Sequence, residues 1–158
     1  MDWNRDLTLV HLIEDHRFRL NGYAVFRCKD VRRWRAVPRN DFLAKSVRLL
    51  RLSPSRPRNV SLASLKEAIT SVGTKFALIT VHRERVNRGA CEVGRLLRAS
   101  QRTVKILSIT PQAEWEGPES YRMKDVTLLE FGGAYEELLC QMAGRPKAMR
   151  KASRERSN

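Results

Sequence analysis

Alternation of apolar and polar positions predicts strands through much of this chain, with three short amphipathic segments between them. From Asp6 to Ile13, Leu7, Leu9 and Ile13 are separated by Thr8 and His11, the pattern of a largely buried strand. Glu14 to Arg17 reads as a polar turn, and Asn21-Gly22 as a second one. Tyr23 to Cys28 resumes as a strand, and Val31 to Val37 as another. Phe42 to Leu52 then takes up near-helical spacing behind Asp41, an N-cap residue.

Residues 53–60 hold Pro54 and Pro57 among polar residues and predict a break between two halves. After it, Leu62, Leu65, Ala68, Ile69 and Val72 recur at helical spacing over Ser61 to Val72. Ser64 and Glu67 form a capping-box pattern near the start of this helix, and Gly73 stands at its end. Strand-like runs follow at 76–81, 91–97 and 103–109. The turns Asn87-Arg88-Gly89 and Ser100-Gln101-Arg102 separate them. Pro111, Gly117 and Pro118 predict a loop over 110–119, followed by a short strand at 121–123 and a longer one at 126–131. Gly132-Gly133 precedes a last helix, 134–142, with Glu136 and Glu137 directed outward.

Two of these stretches match each other. Arg5, Leu7, Leu9 and Leu12 lead through Phe18 and Tyr23 to Lys29-Asp30-Val31; Arg102, Val104, Ile106 and Ile109 lead through Trp115 and Tyr121 to Lys124-Asp125-Val126. A repeated supersecondary unit explains the match. The expected fold class is mainly β with short helices (α+β).

One helix followed by five short strands resembles the small barrels of the Sm-like and SH3-like type. His82-Arg83-Glu84, Gly94-Arg95, Trp115, Tyr121, Lys124-Asp125-Val126 and Phe131-Gly132-Gly133-x-Tyr135-Glu136-Glu137 are similar to the motifs of uncharacterised bacterial proteins of that class. The resemblance covers residues 61–142 well and 5–50 in part. It implies tandem small barrel units, the first incomplete at 1–52 and the second at 61–142, on either side of the linker at 53–60; residues 143–158, rich in cations and poor in apolar residues, read as a disordered basic tail. The first half begins at what would be the third strand of such a unit. Either the chain starts late, or the two halves complete each other's sheet. Sm-like barrels often bind RNA and form rings, but the contact loop of the Sm type is missing here, and the resembled family has no established activity.

Composition narrows the function classes. Of 158 residues, 42% are hydrophobic and 30% charged, a globular composition. No apolar run approaches the roughly 20 residues of a membrane span, and the first residues lack the basic region of an export signal. A cytoplasmic protein without a membrane partner is therefore expected. Cys28, Cys91 and Cys140 lie far apart in apolar contexts and read as buried reduced thiols.

The net charge of +14 is unevenly spread: residues 1–60 carry 14 Lys/Arg against 6 Asp/Glu, residues 61–140 carry 11 against 10, and residues 141–158 carry 6 against 1. A polyanion partner, RNA or DNA, follows from this distribution. The candidate nucleic-acid contacts are Arg27, Lys29, Arg32, Arg33, Trp34 and Arg35, with Arg145, Lys147, Arg150 and Lys151 of the tail. Cations interleaved with an aromatic ring hold phosphates while the ring stacks on a base. Strand alternation would place Arg33 and Arg35 on one face and Arg32 and Trp34 on the other, with Trp34 either in the core or serving as a stacking platform.

The alternative partner is a protein, or a second copy, pairing with open sheet edges. Metal, cofactor and small-molecule sites are not expected. His11, His16 and His82 have no metal-ligand spacing, and no set of nucleophile, base and oxyanion donor emerges. His82 with Glu84 is the one pair that suggests hydrolysis. Glu114, Glu116 and Glu119 read as an exposed loop, while Asp30 and Asp125 read as turn caps.

Overall fold

Strand β2 (Leu7–Glu14) buries Leu7 and Leu9, and β3 (Arg19–Arg27) returns along it antiparallel, with Leu7 opposite Arg27 and His11 opposite Tyr23. This is a computed structural model describing residues 2, 3 and 6–146. Asn21-Gly22 lies inside β3 rather than in a turn, at a register shift opposite Leu12. Gly22 adopts φ +74°, and a Cβ there would come within 2.8 Å of the Gly133 backbone. Its conformational freedom thus serves a bulge that lets another segment approach. The chain reverses earlier, over Asp15 to Phe18.

Strand β3 runs into a 3₁₀ turn, Cys28–Asp30. Residues 31–40 are irregular, with 32–40 exposed, so the strand expected at 31–37 does not form. The edge of β3 that it would follow is occupied by a strand from the other half of the chain, and Pro38 removes a ladder donor. Helix α1 (Phe42–Leu49) begins where expected, with the Asp41 carboxylate accepting the Leu43 N–H at 2.8 Å. Helix α2 (Leu65–Gly73) starts after Ser64, whose hydroxyl accepts the Glu67 N–H at 3.1 Å. It buries Ala68, Ile69 and Val72. Full burial of a Val or Ile side chain contributes about 1.5–3 kcal/mol, so this face holds α2 against the sheet.

Five strands follow: β4 (Ile79–His82), β5 (Cys91–Ala99), β6 (Thr103–Ile109), β7 (Trp115–Arg122) and β8 (Leu128–Phe131). A second 3₁₀ turn, Met123–Asp125, lies between β7 and β8, and helix α3 (Ala134–Ala143) closes the described chain. Strand β7 replaces the second half of the expected 110–119 loop. It is the last strand of the sheet, where a single neighbour suffices and Pro118 is tolerated opposite Leu107.

With the two-residue strand β1 (Asp2–Trp3), all pairing is antiparallel in one eight-stranded sheet of order β1-β2-β3-β8-β4-β5-β6-β7. Strand β8 pairs with both β4 and β3, setting Phe131 opposite Ile79 and Tyr23. The halves therefore share one sheet. Leu7, Leu9, Val25, Ile79, Val81, Val104, Ile106, Leu129 and Phe131 pack with α2 in the main core. A smaller cluster under α3 joins Leu78, Ile109 and Leu139. Among the described residues, no helix is long and apolar enough to cross a membrane.

The two matched stretches fold alike in outline. Each is a hairpin running into a 3₁₀ turn, and each turn opens with an N–H bond of 2.8 Å to the residue just before its hairpin, from Cys28 to Asp6 and from Met123 to Arg102. The arginine before each turn pairs with the turn's aspartate at 2.6 Å, Arg27 with Asp30 and Arg122 with Asp125.

Candidate functional site

The first of these ion pairs is the structural centre of the site. Arg27 is only 9% exposed, so its charge requires partners within the protein. Nε binds Asp30 Oδ2, and Nη1 donates to the Lys124 carbonyl at 2.9 Å, while Nη2 is buried without a partner. Burial pulls the guanidinium below its usual pKa, against the opposing field of Asp125. The expectation that Arg27 contacts phosphate is thereby corrected, since its donors face inward. The Asp30 side chain is itself only 9% exposed and is shared with Arg85, which reaches it from the loop between β4 and β5.

That loop, residues 83–90, stands opposite the 28–30 turn across an open cleft of about 930 Å³. Lys29, Arg32, Arg85 and Arg88 line it, with Asp30 and Glu84 as the acids. The loop is held at its base, where Thr127 N–H donates to the His82 carbonyl at 2.9 Å and Glu84 N–H donates to Thr127 Oγ1 at 3.2 Å. Arg83 points elsewhere, over the Tyr121 ring at 4.3 Å and toward Glu92. Burial and the hydrogen bond to Glu119 hold the Tyr121 phenol well above its usual pKa, so the ring remains neutral beneath the cation. Because two of Asp30's neighbours are arginines, the cleft presents positive charge.

Of the ten residues predicted as contacts, Lys29 and Arg32 meet in this cleft. Arg33, Trp34 and Arg35 lie on the exposed 32–40 segment. Trp34 is 61% exposed with its ring 5.6 Å from Phe26, which removes it from the core. Arg145 follows α3, while Lys147, Arg150 and Lys151 fall outside the described residues. Sequence reasoning missed Arg85 and Arg88 because they sit in the charge-balanced half. Their only signal was the Asn87-Arg88-Gly89 turn, which gives no hint of facing Lys29.

A second, smaller pocket of about 220 Å³ lies near α3, lined in part by Tyr23, Thr80, Cys91, Glu130 and Glu136. His82 Nε2 is 2.9 Å from Glu130 Oε2, so its partner is Glu130 rather than Glu84. Glu136, expected to face outward, is only 8% exposed, and its carboxylate accepts the Thr80 hydroxyl at 2.6 Å. As the third residue of α3, it also lies where the helix dipole favours an anion. Cys91 is exposed rather than buried, and no cysteine is in a disulfide. Burial pushes its thiol up, aided by Glu130, Glu92 and Glu136, which disfavours the nucleophilic thiolate. Among the described residues, no three His, Cys, Asp or Glu side chains are grouped to hold a metal ion.

No family model, curated protein or solved structure matches this chain.

Proposed function

We propose that this protein is a non-enzymatic nucleic-acid-binding protein whose contact surface is the cationic cleft between the 28–30 turn and the 83–90 loop. The observation that carries the reading is the convergence of Lys29 and Arg32 from one half with Arg85 and Arg88 from the other. Two segments 50 residues or more apart in sequence bring like charges together, an arrangement that a bound polyanion stabilises. Trp34, exposed two residues beyond Arg32, adds a ring for a base. A single strand is favoured over a duplex because its bases are unpaired and open to stacking, and RNA over DNA because the resembled barrels often bind RNA.

The barrel resemblance supports this reading. An SH3-like or Sm-like unit would use helix α2, strands β4 to β7, a 3₁₀ turn and β8, and the pairing of β8 back to β4 supports that reading. On this reading the first half is an incomplete second unit that supplies β2, β3 and their turn.

Fluorescence anisotropy with labelled single-stranded oligonucleotides across a salt series tests the proposal. Binding that weakens steeply with salt is expected; absence of binding at low salt, or binding indifferent to salt, overturns it.

A further inference from the structure

The connection between β3 and α2 carries a surface that this reading does not use. Residues 31–60 contain nine Lys/Arg, of which Arg32 lines the cleft and the other eight do not, and a single acid, Asp41, which is engaged as the N-cap of α1. Within this segment α1 buries none of its residues. Phe42 is 70% exposed and Leu49 83%, seven residues apart and hence on one helical stripe, with Lys45 between them. Leu50 continues the apolar surface, and the Phe18 ring meets Phe42 edge-on at 5.5 Å. Arg48 lies beside the stripe, its guanidinium donating to the Arg39 carbonyl at 2.5 Å.

A short helix in water ordinarily turns its large apolar side chains inward, but here two of the largest point outward among cations. Nucleic acid would neutralise the cations but leave Leu49 and Leu50 wet, since aliphatic chains neither stack on bases nor bond to phosphates. A second copy would bring the same nine cations against this face. An anionic bilayer supplies both an apolar boundary for Phe42 and Leu49 and phosphates for Lys45 and Arg48, whose aliphatic stems let their charges reach the headgroups.

We propose that α1 docks the protein onto an anionic phospholipid bilayer, lying in the headgroup plane with Phe42 and Leu49 inserted and Lys45 and Arg48 on phosphates. This reverses the sequence expectation of no membrane partner, which weighed only a spanning segment. It stands independently of the nucleic-acid reading, because the cleft and α1 share no residue.

Co-sedimentation of the full chain with vesicles of equal parts phosphatidylglycerol and phosphatidylcholine, against phosphatidylcholine alone, tests it. Binding to the anionic vesicles is expected, with partitioning reduced at least about tenfold by Phe42→Ser/Leu49→Ser and by a similar factor for Lys45→Glu/Arg48→Glu. All four positions are exposed, so an unchanged thermal midpoint is expected to accompany the loss, and RNA anisotropy of the Phe42→Ser/Leu49→Ser variant is expected to match wild type. The proposal is overturned if anionic vesicles fail to sediment the protein. Sedimentation that Phe42→Ser/Leu49→Ser leaves unchanged also overturns it, by revealing plain adhesion of a cationic protein. A dimer that this variant converts to monomer assigns the face to a second copy instead. Loss of RNA binding with vesicle binding intact assigns it to nucleic acid.

Discussion

Arg27 donates from Nη1 to the backbone carbonyl of Lys124 at 2.9 Å, so the 3₁₀ turn of the first hairpin is bonded to the equivalent turn of the second, 97 residues further along the chain. The same guanidinium holds Asp30, and Asp30 holds Arg85. One buried ion pair thus fixes both walls of the cleft relative to each other.

Replacing Arg27 with Met should destabilise the protein by about 3–5 kcal/mol, because Asp30 is left as a buried charge with Arg85 alone. The double variant Arg27→Met/Asp30→Leu should recover a large part of that loss, since both charges are gone. Urea unfolding curves for the three proteins check this, and equal losses in the single and double variants would contradict it.

Two glycines with similar backbone angles should respond differently to alanine. Gly22, at φ +74°, faces the Gly133 backbone at 2.8 Å, whereas Gly89, at φ +77°, meets nothing within 4 Å. Gly89→Ala should cost only the left-handed backbone strain of about 1–2 kcal/mol. Gly22→Ala adds backbone overlap and should cost clearly more, read as a larger fall in thermal midpoint.

Reversing charge in the cleft should weaken RNA binding without unfolding the chain. For Lys29→Glu/Arg88→Glu, affinity in anisotropy should fall at least about tenfold, and the slope of log K against log salt should shrink by about 1–2. An unchanged slope would place the phosphates elsewhere.

Trp34 separates stacking from packing. Trp34→Ala removes an exposed ring, so the stability change should stay within about 0.5 kcal/mol. Loss of a base stack should cost RNA binding about 1–3 kcal/mol. Parallel thermal melts and anisotropy decide; a large stability loss with unchanged binding would return the ring to a packing role.

Cys91 should be slow to alkylate for an exposed thiol. Its pKa lies above the usual 9.0 because of burial first and the charges of Glu130, Glu92 and Glu136 next. Since the thiolate reacts, the iodoacetamide rate at Cys91 should reach half its plateau only above pH 9, the pH at which an unperturbed thiol is half ionised. Glu130→Gln removes one negative neighbour and should shift the whole profile toward lower pH.

Much of the architecture is readable from local pattern. Asp41 and Ser64 start their helices by capping chemistry confined to three or four residues, and β6 alternates strictly enough to declare its buried face. The matched Lys-Asp-Val steps mark where both 3₁₀ turns end. Errors arose where a residue's role depends on a distant partner. Gly22 resembles a turn glycine until Gly133 is placed beside it. Pro118 resembles a loop proline until β7 is known to be the sheet edge. Glu136 resembles a solvent-facing charge until the Thr80 hydroxyl lies against it.

The sequence by itself determined the β-rich class, the caps, the matched hairpins and the concentration of positive charge in the first half. These depend on interactions within a few residues or on composition, which a linear string carries completely. Only the tertiary structure decided that β8 lies between β3 and β4, and that Arg27 is an internal counterion rather than a surface cation. It also decided that Arg85 and Arg88 face Lys29 and Arg32. The strand pairing joins segments 46 or more residues apart, the burial of Arg27 rests on the Lys124 carbonyl 97 residues on, and the cleft cations come from segments more than 50 residues apart; competition for one strand edge and the cost of burying an unpaired charge select them, and none is a property of a local stretch.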